Sequence, residues 1–222
     1  MNTTHTTFVG AVIIPLLMLQ IVQDTKTGRE PEIPTDSEAR QLAAVHNNPK
    51  LNGVDNTAAD EGELRKMLKD YDELFFKGET RMNKFLVLSG FCQMVARSPD
   101  GKKLVPDLMG AIDRLEAPVS VASEVGDWDK YAIRSRGDRV GLLIQCVLEV
   151  AGKEGFEQMF AHFEKKEQFT KHAALLERVS SRRDRKIYLE LLSKKLVDAK
   201  DPKLKAAINS SIDQIREDRR TE

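Results

Sequence analysis

From Asp60 almost to the C-terminus, apolar residues recur at intervals of three and four, the period of amphipathic helices. Leu64, Met67, Leu68, Tyr71, Leu74 and Phe75 form a first stripe. Asp60, Glu61 and Glu63 favour its N-terminal end and Gly78 suits its stop. A second runs through Met82, Phe85, Leu86, Leu88, Phe91, Cys92 and Val95 to Ser98-Pro99, because the residue before proline leaves helical geometry. Leu104, Leu108, Met109, Ile112 and Leu115 mark a third helix, and Val140, Leu143, Ile144, Val147 and Val150 a fourth, stopped near Gly152. Shorter stripes follow at Phe156–Phe163, Leu175–Val179, Ile187–Leu196 and Leu204–Ile215. No stretch alternates with period two for more than a few residues, and β-branched residues are scattered, so no sheet is expected.

Two different regions precede this body. Phe8 to Val22 is a run of fifteen uncharged, almost wholly apolar residues. It has the length of a signal-peptide core and falls short of the roughly 20 residues that span a bilayer. Met1 to Thr7 carries no Lys or Arg and no A-x-A-like cleavage site follows, so a cleaved signal and an uncleaved anchor both stay open. A partner-docking helix and an apolar tail are the alternatives. Residues 23–57, with Pro31, Pro34, Pro49, Gly28 and Gly53, read as a flexible polar linker containing one short helical patch, Ser37 to Val45. The expected organisation is a signal or anchor segment at 1–22, this linker, a helical domain at 58–218 and a tail at 219–222.

Three arginines give the body a recurrence. Arg81, Arg139 and Arg185 each open a helix, and the breaks fall at Ser98-Pro99-Asp100-Gly101, at Gly152 to Gly155 and at Lys200-Asp201-Pro202. A second helix follows each break. Hairpins of this kind bury their stripes only by stacking. In outline the stretch from about 80 to 216 resembles HEAT-type helical repeats, and that resemblance implies a curved surface for binding other proteins. The unit spacings are unequal, at 58 and then 46 residues, and the Leu175–Val179 helix falls outside the scheme. The fold class expected is therefore all-α, with stacked helical hairpins in an α-solenoid-like array or an irregular bundle.

Ala117 to Gly137 is the longest stretch without a helical stripe and reads as a loop. It holds the chain's one tryptophan, Trp128, with Tyr131, Arg134 and Arg136 after it. Long loops often carry function, and Trp, Tyr and Arg are the residues enriched at binding hot spots. These four are the candidate partner-binding residues; the plain alternative is that Trp128 pins the loop to the core. Asp127 and Asp129 are too few oxygens for a hard cation.

Composition narrows the function classes. Thirty-five basic residues balance thirty-five acidic ones, so the footprint of a nucleic-acid-binding protein is absent. The charge is uneven locally: residues 23–79 hold eight Lys/Arg against thirteen Asp/Glu, and residues 180–222 hold twelve Lys/Arg against eight Asp/Glu. The sharpest cluster is Arg182, Arg183, Arg185 and Lys186, a candidate for an anionic ligand or else solvated charge, with Ser180 or Ser181 as a helix cap. Cys92 and Cys146 fall among apolar residues and read as buried thiols, with a disulfide open if the protein is exported. His162 and His172 lack the H-E-x-x-H spacing, and His46 is a lone histidine in a polar stretch. No P-loop, G-x-G-x-x-G or nucleophile elbow is present. No cofactor and no metal are expected. The function expected is a non-catalytic helical interaction scaffold with protein partners, membrane-anchored through residues 8–22 or exported. An all-α enzyme built around the 117–137 loop, and anion binding through 182–186, are the alternatives.

Overall fold

The computed structural model describes residues 36–51, 55, 57–76, 82–115 and 127–217, the side chains at 36, 38, 73, 76, 82–86 and 127–138 excepted. Among the described residues every regular element is a helix and no strand occurs. The apolar segment 8–22 and the residues 116–126 lie outside them. No helix among the described residues is long and apolar enough to cross a membrane. The chain divides into two compact units, Met1–Leu104 and Val105–Glu222.

In the first unit, α1 (Asp36–His46) matches the short helical patch read in the linker. It is packed rather than tethering: Val45 and Leu51 are buried. Gln41 Oε1 accepts from the Leu74 amide at 3.1 Å, and Asn48 Nδ2 donates to the Tyr71 hydroxyl at 3.2 Å. Asn48 Oδ1 also accepts from the amides of Lys50 and Leu51, closing the turn that Asn47-Asn48-Pro49 foreshadows. Residues 36–51 therefore differ from a flexible linker, because a few buried apolar groups and side-chain bonds suffice to hold so short a helix.

The helix α2 (Glu61–Asp70) starts on a capping box. The Glu63 amide donates to Asp60 Oδ1 at 2.8 Å and the Asp60 amide to Glu63 Oε2 at 3.1 Å. The single stripe expected through Phe75 is broken at Tyr71, whose φ −110° and ψ 20° end α2 before α3 (Asp72–Phe76) begins. Then comes α4 (Met82–Arg97), ending at Ser98-Pro99 as expected. There the Ser98 hydroxyl donates to the Ala59 carbonyl at 2.6 Å and accepts from the Asp100 amide at 3.1 Å. A 3-10 turn, Gly101–Leu104, closes the unit. Leu64, Leu74, Leu88, Phe91 and Val95 form its core, with the rings of Phe75 and Phe91 at 5.1 Å.

The second unit holds α5 (Val105–Arg114), α6 (Asp127–Lys165), α7 (Phe169–Ser180), α8 (Arg185–Asp198) and α9 (Pro202–Glu217). The 39-residue α6 is two limbs, joined at Gly152 with φ 51° and ψ −126°, a conformation costly for any residue with a Cβ. Eight residues span about 12 Å along a straight helix. A Cβ on Gly155 would instead lie 2.9 Å from the Val147 carbonyl oxygen, so the chain doubles back at the break read from Gly152 to Gly155. A second reversal at Ala199–Asp201 packs α9 against α8, and Asp201 Oδ1 caps α9 by accepting from the amides of Lys203 and Leu204.

Between these reversals lies α7. It is the helix left outside the recurrence, yet it packs against α6, α8 and α9. Leu175, Leu176 and Val179 are buried on it, each contributing roughly 1.5–3 kcal/mol of apolar transfer. The link from α6 to α7 is a Schellman turn, with Gln168 N–H bonded to the Phe163 carbonyl and Glu167 N–H to that of Glu164. Glu167 takes the left-handed position at φ 54°.

One expectation is corrected by α6. The 117–137 loop ends by residue 127, where helix has begun. Polar residues mask the stripe there. Asp127 and Asp129 suit a helix N-terminus, and the buried stretch from Arg139 onward continues the same rod.

Candidate functional site

A partly buried polar constellation gathers at the end of α5. The last carbonyls of a helix lack intrahelical donors, and a carboxylate there faces the negative end of the helix dipole. Asp113 is such a carboxylate. His162 Nε2, from the second limb of α6, lies 2.9 Å from both its oxygens. Lys166 Nζ donates to Oδ2 at 2.6 Å. Lys171, from the first turn of α7, donates to the Ile112 carbonyl at 2.8 Å and stands 3.9 Å from Asp113 Oδ1. Burial pushes the Asp113 carboxyl up, but the hydrogen bonds from Lys166 and His162 together outweigh it and hold the group below its usual range. Lys171 is only 2% exposed, and burial lowers its ammonium against the pull of Asp113.

Next to it lies His172, also 2% exposed. Its Nε2 is 3.2 Å from the Phe160 carbonyl, which can only accept, so that nitrogen carries the proton. Nδ1 is buried with no hydrogen-bond partner. The ring centroids of Phe160, Phe163 and Phe169 lie 4.9, 5.9 and 6.1 Å away. Burial lowers the imidazole's affinity for a second proton. Lys195 of α8 covers the Phe160 ring at 4.7 Å.

Chemically, an Asp–His pair orients an imidazole, as a general base or a metal ligand requires. Here both carboxylate oxygens also serve as counterions to lysines, and the cluster ties α5, α6 and α7 together. No group of three His, Cys, Asp or Glu residues is disposed to hold a metal among the described residues.

The sequence-read candidates fall elsewhere. Trp128, Tyr131, Arg134 and Arg136 all lie in the first turns of α6, and their side chains are outside the described residues. Positions 128, 131 and 134 follow one another at three-residue steps within an arc of about 120° of that helix, while 136 lies about 140° from the middle of that arc. Of the basic cluster, Arg183 and Lys186 are exposed while Arg182 and Arg185 are half-buried. Arg182 lies 3.9 Å from Asp184. Ser180 and Ser181 do not cap α8. Their hydroxyls donate back to the carbonyls of Leu176 and Arg178, and Asp184 precedes α8 without a capping bond. Cys92 and Cys146 are buried thiols.

Lys171 and His172 had a signal in the sequence: they continue the stripe of Leu175, Leu176 and Val179 one turn back. Asp113 had none, since its partners lie 49 and more residues away. No family model matches the chain, and neither a curated protein nor a solved structure matches it.

Proposed function

We propose that the protein is a non-catalytic helical interaction scaffold, held at a membrane by residues 8–22, whose doubled-back helices act as a short α-solenoid-like stack. The observation that carries this reading is the build of the second unit. Two helical reversals, at Gly152 and at Ala199–Asp201, enclose α7, and its buried Lys171 and His172 bond to carbonyls of α5 and α6. Such stacks offer extended side surfaces to partners. The first turns of α6, with Trp128, Tyr131, Arg134 and Arg136, are the surface we assign to a protein partner, since these residue types dominate binding hot spots.

The test is capture of partners by the full chain and by Trp128→Ala, read beside a thermal melt. The reading requires capture to fall by tenfold or more, the cost of losing a hot spot of about 2 kcal/mol, with the melt unchanged. A lowered melting temperature without a separate binding defect would make Trp128 a packing residue and sink the assignment.

A further inference from the structure

An eleven-residue helix such as α1 does not persist alone in water, where isolated helices shorter than about 12–15 residues are marginal. It exists by docking, and the docking of residues 36–51 is slight. Of their described side chains, Val45 and Leu51 are buried, while Ala39, Arg40, Ala43, Ala44, His46 and Asn47 are exposed. Gln41 takes the Leu74 amide of α3, Asn48 meets the Tyr71 hydroxyl at the end of α2, and Lys50 Nζ lies 2.7 Å from Glu63 of α2. Arg40 and His46 also interact with neighbours, from exposed positions. The Leu51 carbonyl passes over α4, 3.9 Å from where a Cβ on Gly90 would stand. Two buried aliphatic side chains and a few polar bonds are thus set against the ordering of sixteen backbone residues. The rest of the unit has its own core. Leu74, Phe75, Leu88 and Phe91 are fully buried, and α3 and α4 pack directly on each other.

We propose that residues 36–51 form a releasable strap. They detach from α2, α3 and α4 as one piece while those helices stay folded, and the detached strap lengthens the connection between residues 8–22 and the first unit. Local opening of this kind belongs to segments with few buried apolar contacts. Release leaves the Leu74 amide and the Tyr71 hydroxyl facing water, which satisfies both, so no buried polar group is stranded. It also turns α1 from a helix into coil. The eleven residues span about 16 Å as a helix and reach about 36–40 Å when extended. With the strap down the tether is short, and with it up the tether is long. That use as a tether rests on the membrane reading of residues 8–22; the release itself does not.

The test is hydrogen exchange of the full chain, read by mass spectrometry on peptides covering 36–51 and on those covering 87–97 of α4. Protection in 36–51 should be at least about a hundredfold weaker than in 87–97, whose Leu88, Phe91 and Val95 are fully buried. Val45→Ser removes one of the two buried aliphatics and should speed exchange in 36–51 by roughly tenfold or more. Asn48→Ala should speed it several-fold. Neither variant should move 87–97. Trypsin acting on the native chain should cut at Arg40 and Lys50 before Arg97. Equal protection in the two segments overturns the proposal without recourse to any variant. So does a Val45→Ser chain in which both segments exchange faster alike, or in which the first unit no longer folds, because the strap is then part of the core. Fast exchange confined to 36–51 in a chain that does not sediment with membranes keeps the strap and removes its use as a tether.

Discussion

At position 172 an imidazole is enclosed by Phe160, Phe163 and Phe169, with Nδ1 bare of any partner and Nε2 bonded to a carbonyl. Burial is the largest influence on it and favours the neutral ring, against the raising effects of the Phe160 carbonyl and of Glu164; Lys195 acts with burial. The folded protein therefore binds a proton here less readily than the unfolded chain, whose reference value is 6.5. The stabilisation is complete above that value and is lost as pH falls through it towards the folded value. Asp113, depressed from 3.8, loses its contribution only at more acid pH, so the two windows separate. The melting temperature should drop between pH 7 and pH 5, and His172→Phe should flatten that slope. An equal slope in the variant would place the proton elsewhere. Glu167 is a second diagnostic residue, with its φ of 54° at an exposed turn. Glycine tolerates that geometry, so Glu167→Gly should stabilise the fold by about 1 kcal/mol in chemical denaturation. A loss of stability would deny that the left-handed position is strained.

Among the elements, those with a full apolar stripe were legible in the sequence and those held by a few distant bonds were not. The capping residues before Glu63 and the stop at Ser98-Pro99 act within one turn, and both appear where the residues place them. The patch at Ser37 to Val45 was visible, but its anchorage was not, since Gln41 meets Leu74 and Asn48 meets Tyr71 across the chain. The first turns of α6 look like a loop because their polar residues interrupt the stripe; continuity with the buried limb beyond Arg139 supplies what the local pattern lacks. The reversal of α6 was legible as two glycines, each with its own reason. Gly152 needs a positive φ, while Gly155 needs room beside Val147 and Ala151. In Gly155→Ala the gain in helix propensity, at most about 1 kcal/mol, is outweighed by roughly 1–3 kcal/mol of overpacking against a backbone oxygen. The variant should lower the melting temperature by a few degrees. An unchanged or raised value would mean that the two limbs do not meet there.

For the whole molecule, the balance of charge hides an arrangement. The stretch from Ser180 to Lys205 holds nine basic and four acidic residues in a chain of zero total charge, and a run of fifteen uncharged, almost wholly apolar residues stands near the other end. Our account joins these into one claim, a helical scaffold that works at a membrane. The most direct measurement is the distribution of the full chain between membrane and soluble fractions, compared with the same chain lacking residues 1–24. The account predicts that the full chain sediments with membranes and that the deletion moves most of it to the soluble fraction with its helical melt intact. A full chain found wholly in the soluble fraction, or a distribution indifferent to the deletion, would contradict it.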